Sequence, residues 1–532
     1  MRSSTQTVDA VVIGAGPNGL VAANLLADAG WDVLVLEAAA QPGGTVRTAE
    51  LVEPGFHSDL FSSFYPLAAA SPIMHGLNLR DHGLRWAHAP AVLAHVLPDD
   101  RCALLSRDLD VTTESLASFD PGDADAWRAE FAAWTRIRDD LLTALFTPFP
   151  PVRAGVRLAR TLGVADGLRL ARMLTMPART VGEERFAGVG AQLLLSGNAV
   201  HSDLGPAEAG SAVFGWLLCM LGQDFGFPVP EGGAGELTAA LVRRLTARGG
   251  QLVCGREVTK VVIAGGRALG VTDADGTSIR ARRAVLATVP APTLYQRLVG
   301  VEHLPARMVA DLRGFHWDDA TIKVDWALSR PIPWRNPAAG RAGTVHLDSD
   351  MDGLTEFGST LVAGRVPDNP FLLLGQMTTT DPTRSPAGTE AAWAYTHVPR
   401  RQHWDHDEVR RCADRIEQVV ERHAPGFTAA IRGRYVAGPD NLQCRNDNLV
   451  GGAINGGVSA IHQQLVFRPV PGLGRADTPI DRLYLAGASA HPGGAVHGGP
   501  GANAARAALA RAGAGGPLYG RSMRALHDLI YR

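Results

Sequence analysis

The chain has 532 residues, 46% hydrophobic and 20% charged, with a formal net charge of −2. That length exceeds what one hydrophobic core sustains, so two discontinuous domains are expected, and the near-neutral balance leaves no electrostatic footprint for nucleic acid. The five cysteines, Cys102, Cys219, Cys254, Cys412 and Cys444, form no CxxC pair, which argues against dithiol redox chemistry and a metal site; no apolar run of about 20 residues is available to cross a bilayer.

In chain order, the first element is an apolar β-branched strand over 9–13 that runs into Gly14-x-Gly16-x-x-Gly19. An apolar helix pattern follows, then a turn at Gly30 and a second strand ending in Glu37. In a dinucleotide-binding βαβ unit Gly14 makes the tight turn, Gly16 lets backbone approach a pyrophosphate, and Gly19 lets helix and strand pack closely. The helix N-terminus offers free N–H groups to phosphate, and Glu37 would accept from ribose hydroxyls while repelling a 2′-phosphate. Only eight residues precede this strand, so a cleavable leader would remove the motif; a cytoplasmic protein is expected. Next come Pro42-Gly43-Gly44 and Arg47, read either as a second approach to the pyrophosphate or as a surface turn.

Helices are expected over 132–146 and 152–176, separated by Pro148, Pro150 and Pro151. Residues 151–180 carry six arginines against the single acid Asp166, interleaved with Val156, Leu158, Leu162 and Leu168. This reads as a solvated helical face or as a peripheral contact with an anionic membrane. His201 follows between apolar helices. A glycine-rich loop at 232–235 leads into a helix over 238–247, with strands at 251–254 and 257–263. Further strands are expected at 315–326, 343–348, 359–362 and 371–378. Near the end, a buried strand reaches Gly487, and His491-Pro492-Gly493-Gly494-Ala495-Val496-His497-Gly498 opens an alanine-rich helix over 502–511, again an anion-binding geometry.

The opening motif with Gly43, Gly44 and Arg47 resembles the FAD-binding start of glutathione-reductase-like flavoproteins in the amine oxidase and phytoene desaturase branch. The terminal segment, with Gly487 and His-Pro-Gly-Gly at 491–494, is similar to the subgroup of phytoene desaturase-like proteins that includes carotenoid ketolases. The segment from Val450 to the Arg468-Pro469 pair also resembles that subgroup. The resemblance implies an α/β fold: a glutathione-reductase-like Rossmann domain for FAD with an inserted α+β substrate domain. It implies FAD domain segments at 1–75, 225–295 and 470–532, and substrate domain segments at 76–224 and 296–469. It places Gly14, Gly16, Gly19, Glu37, Gly43, Gly44, Arg47, Val258, Gly487, Gly493, Gly494 and Val496 at non-covalent FAD, and the 232–235 loop on the substrate side.

The resulting expectation is an FAD-dependent desaturase or dehydrogenase of a bulky, largely apolar small molecule such as a polyene or terpenoid, reoxidised by oxygen or a quinone. A flavin amine oxidase is the second enzyme reading, and a flavoprotein that binds or chaperones a partner is the third. No second strand–GxGxxG–helix unit is present for NAD(P)H. His491, His201 and His497 are the candidate bases, each with a competing role as a structural hydrogen-bonder.

Overall fold

A computed structural model describes residues 6–347 and 349–532. The strand Thr7–Ile13 lies between Val33–Leu36 and Ser278–Ala287, parallel to both. Its Val and Ile side chains are buried on both faces, as a strand covered by helices on both sides requires. Gln251–Val253 extends one edge in parallel, and an antiparallel meander of Val258–Ala264, Arg267–Asp273 and Ser278–Ala287 forms the other. Leu483–Leu485 pairs in parallel with the end of Ser278–Ala287, so three distant stretches of chain share one sheet.

The helix Pro17–Asp28 leaves that sheet through Gly14–Gly16 and is buried along most of its length. Helix Gly499–Ala512 crosses it closely: a Cβ on Gly501 would lie 1.9 Å from the Asn18 carbonyl oxygen, so only glycine permits the crossing.

A second, mixed sheet runs in the order Ile431–Ala437, Ala320–Leu328, Glu390–Val398, Leu372–Gln376, Ala342–Leu347, Ala91–Val96, Cys102–Leu105. Only Ala342–Leu347 and Ala91–Val96 are parallel neighbours. One face packs Ile322, Val324 and Trp326 on Ile416, Val419 and Val420 of helix His406–His423. The other face follows the two-residue strand period and aligns Lys323, Tyr395, Leu373, His346 and His95 in one row across the strands. Helices Val189–Val200 and Ser211–Asp224 lie on that side.

Several sequence expectations shift. Residues 359–362 are not a strand but the end of helix Met351–Val362, which buries Met351, Leu354, Phe357 and Leu361 at helical spacing and is capped by Asp350 onto the Gly353 N–H at 2.8 Å. A four-residue window, here Ser359-Thr-Leu-Val362, cannot separate strand from helix. The strand expected at 315–326 is Ala320–Leu328, and the one at 371–378 stops at Gln376, where a helical turn Met377–Thr380 begins. The helix expected over 152–176 spans Val152–Met173 and kinks at Gly163, whose φ is +65°.

Candidate active site

A cavity of about 1000 Å³ runs between the two sheets. Its first part is lined by Gly14, Gly16, Pro17, Asn18, Glu37, Gly44, Arg47, Val258 and Thr288. The two motif glycines that flank the turn differ in kind. A Cβ on Gly19 would stand 2.0 Å from the Gly14 carbonyl oxygen, a clash with backbone. A Cβ on Gly16 would meet nothing closer than Gly44 Cα at 3.9 Å, and its φ of −71° suits any residue. Gly19 is therefore demanded by the fold, whereas space at Gly16 is kept open for something else. Helix Pro17–Asp28 begins there without a side-chain cap, and the buried Asn18 Oδ1 has no protein partner. Uncapped N–H groups at a helix start are an anion site.

Glu37 ends its strand with each carboxylate oxygen holding one backbone N–H, Ala15 at 2.7 Å and Ala39 at 2.9 Å. That fixes the glycine turn against the strand end and leaves lone pairs toward the cavity. Arg47 donates Nε to Gly44 O at 3.0 Å and Nη2 to Arg445 O at 2.9 Å, with its guanidinium over the Phe61 ring. Gly43 and Gly44 both take positive φ, and Gly43 is too crowded by Val46 O for a side chain.

Residues 487–498 close the same cavity from the other terminus. Gly494 and Val496 line it; Gly487 packs on Thr288 O, and Gly493 turns at φ +122°. Arg468, fully buried, donates to the carbonyls of Asn455, Gly457, Val458 and Ala488 at 2.8–3.3 Å. It ties the glycine-rich 455–458 segment to the 488–494 loop, and burial pushes its pKa down to about 10, so it stays cationic at neutral pH. The three candidate histidines separate. His497 uses Nε2 on Gly494 O and accepts the Gly499 N–H at Nδ1, so both ring nitrogens hold the loop. His491 packs against Phe149 and does not line the cavity. His201 and His497 both line it. Burial lowers the pKa of His491 and His497 to about 4 and of His201 to about 3, so all three are neutral above pH 5.

The far part of the cavity is a chamber walled by Phe64, Leu67, Leu145, Phe214, Leu217 and Leu218 opposite Trp393 and Tyr395 of the second sheet. Polar groups also line the cavity, among them Ser62, Tyr65, His201, Thr321, Thr344, Lys323 and Asn455. Lys323 is held by Asp325 and by Asp59 O at 3.0 Å, against the Trp393 ring. The 232–235 loop does not reach the cavity lining; it closes on Asp381, Asp59 and Thr48 instead.

Residues 18–509 match the family described as flavin containing amine oxidoreductase. The chain belongs to that family. Pyridine nucleotide-disulfide oxidoreductase domain-containing protein 2 of Mus musculus is 29% identical over 93% of this chain and 92% of its own. Phytoene desaturase (neurosporene-forming) of Rhodobacter capsulatus is 24% identical over 92% and 91%. The solved structure of putrescine oxidase bound to putrescine superposes with a TM-score of 0.58 at 18% identity, covering 95% of this chain and 99% of that one. The protein is thus an FAD-dependent oxidoreductase of the amine oxidase and desaturase family, with a phytoene desaturase-like sequence and a Rossmann-type fold.

The residues present fit FAD: an open Gly16, an uncapped helix start, an unpartnered Asn18 Oδ1 and a ribose-ready Glu37 all face one end of the cavity. When bound, the flavin supplies a hydride acceptor for a C–H bond. The groups that would hold the nucleotide are the backbone at Gly14–Gly16, Asn18 and Glu37. Sequence reading did not find Arg468 as the clamp, nor Thr321, Thr344, Trp393 and Tyr395 as chamber wall. Their one shared signal is alternate spacing along strands of the second sheet, which has no local motif.

Proposed function

We propose that the protein dehydrogenates a bulky, largely apolar small molecule, with oxygen or a quinone as the final electron acceptor. The observation that carries this reading is the chamber: aromatic and aliphatic side chains from helix Ser211–Asp224 and from the second sheet face each other across space continuous with the nucleotide end. Such a surface holds a hydrophobic ligand by desolvation. A substrate amine has less support, because the aromatic face of Trp393 is already occupied by the Lys323 side chain at 5.8 Å. The name of the phytoene desaturase relative points the same way.

The test is anaerobic bleaching of the bound flavin with a panel of terpenes, polyenes, polyketides and amines. Bleaching by an apolar compound and none by amines is expected. NADH and NADPH should not reduce the flavin at a useful rate. Rapid bleaching by amines, or by either nicotinamide, overturns the reading.

A further inference from the structure

Three histidines meet beside the chamber, two of them, His95 and His346, buried against one glycine. His201 Nε2 lies 2.8 Å from His346 Nε2, and His95 Nε2 lies 2.8 Å from Ser349 O. The remaining nitrogens of the two inner rings, His346 Nδ1 and His95 Nδ1, are buried with no hydrogen-bond partner. Both stand where a Cβ on Gly197 would be, at 2.5 and 3.0 Å, so a Cα–H of Gly197 points toward both.

These contacts fix the protons. A neutral imidazole carries one N–H and one lone pair. His95 must place its N–H on Nε2 to reach the Ser349 carbonyl, leaving a lone pair at Nδ1. A proton on His346 Nδ1 would be a buried, unmatched donor pressed against a C–H, at a cost of about 1–3 kcal/mol. A lone pair there meets the Gly197 C–H favourably instead. His346 therefore carries its proton on Nε2 and donates it to His201 Nε2. His201 then has one place left for its own proton, Nδ1. Among the described residues that nitrogen has no hydrogen-bond partner; it is not among the buried unpartnered atoms, and it belongs to a residue that lines the cavity. Burial holds all three rings neutral, and repulsion from His397 adds to this at His201.

We propose that His201 is a hydrogen-bond donor to an acceptor oxygen, in the simplest case a carbonyl, on an otherwise apolar substrate. It is not a resting-state base. A second observation supports an oxygen at this end: the Thr344 hydroxyl, two residues before His346 on the same strand face, is buried, lines the cavity and lacks a partner. The same holds for Thr321 Oγ1. The proposal rests on the reading of the chamber as the substrate site.

The test uses the FAD-loaded protein with two probes of matched shape, the ketone carvone and the hydrocarbon limonene, with binding read from the perturbed flavin spectrum. Long-range 1H–15N correlation on histidine-labelled protein reports the tautomers. Carvone should bind at least about tenfold more tightly than limonene, and His201 should show the Nδ1–H form. In His201→Phe and His346→Leu the ratio should fall toward one, with FAD content unchanged and limonene binding within about twofold. An Nε2–H tautomer at His201 overturns the proposal. So does equal binding of the two probes to the wild type, which leaves the chamber reading standing. Binding of neither probe overturns the chamber reading and the proposal with it.

Discussion

At the nucleotide end the cavity wall carries motif glycines, Gly14, Gly16, Gly44 and Gly494, with Glu37 spending both oxygens on N–H groups of its own loop. At the chamber end it is side chains from places as distant as Phe64, Leu145, Phe214, Thr344 and Tyr395. A nucleotide is the same in every member of a family, so backbone shaped by glycines at fixed spacing suffices. A substrate differs between members, and its site is built from positions that mutate without disturbing the turns. Specificity therefore resides where local motifs do not.

The two motif glycines break or sharpen this contrast with the largest effects. Gly19→Val should abolish soluble protein, because even a Cβ would be driven to 2.0 Å from Gly14 O. Gly16→Val should fold, since its φ is ordinary and its neighbourhood open, yet purify colourless. Circular dichroism and the flavin spectrum separate the outcomes. A yellow Gly16→Val protein would mean that the open space is not the pyrophosphate's. Acid precipitation of the wild type should release intact FAD, as non-covalent binding requires.

The same contrast explains what was legible. Gly14, Gly16, Gly19 and Glu37 lie within one βαβ unit, so periodicity and spacing expose them together. The shared sheet of 7–36, 251–287 and 483–485 follows from short parallel strands with flanking glycine loops. By contrast, His95, His201 and His346 meet only across a separation of 251 positions, and only His201 stands out in the sequence, as one candidate base among three. The helix at 351–362 was hidden because its apolar residues also fill a short strand window. Arg468 was visible as an Arg-Pro pair, but its four carbonyl partners are set by tertiary packing.

Arg468 joins the two regions, so its removal should loosen both. Arg468→Met keeps much of the volume but leaves the carbonyls of Asn455, Gly457, Val458 and Ala488 without their charged donor. Hydrogen bonds to charged groups contribute about 1.5–3 kcal/mol each and are not additive; a net loss of about 3 kcal/mol is expected. It should appear as a lower Tm and as FAD release at a lower temperature. Arg468→Lys, with a single ammonium for several acceptors, should fall between. A Met variant as stable as the wild type would show that the two loops hold together without the clamp.

The smallest effect concerns helix Val152–Met173, which packs on helix Asp123–Leu145. Its inner face, with Leu158, Leu162 and Leu170, packs on the core that contains Leu142 and Phe146, next to the cavity-lining Leu145. Among the described residues no helix is long and apolar enough to span a membrane, so the proposed contact is peripheral. The arginines expected to drive it are largely matched: Arg157 with Asp140 at 2.6 Å, Arg172 with Glu184 at 2.6 Å, and Arg179 with Glu183 at 2.9 Å and Asp352 at 2.8 Å. What remains outward includes the apolar Val164, 82% exposed, and Leu168, 67% exposed, beside the exposed Arg153 and Arg160. If this face meets a bilayer, apolar insertion should outweigh charge. Each buried aliphatic side chain contributes roughly 2 kcal/mol, against about 1 kcal/mol for a basic residue near an anionic surface, and only the latter is screened by salt. Sedimentation with anionic vesicles should therefore drop more in Val164→Ser with Leu168→Ser than in Arg153→Gln with Arg160→Gln, and should persist in part at high salt. Binding abolished by salt alone would restore the electrostatic reading. No sedimentation of the wild type would make this helix a water-facing surface, and the chamber's ligand would then arrive from solution.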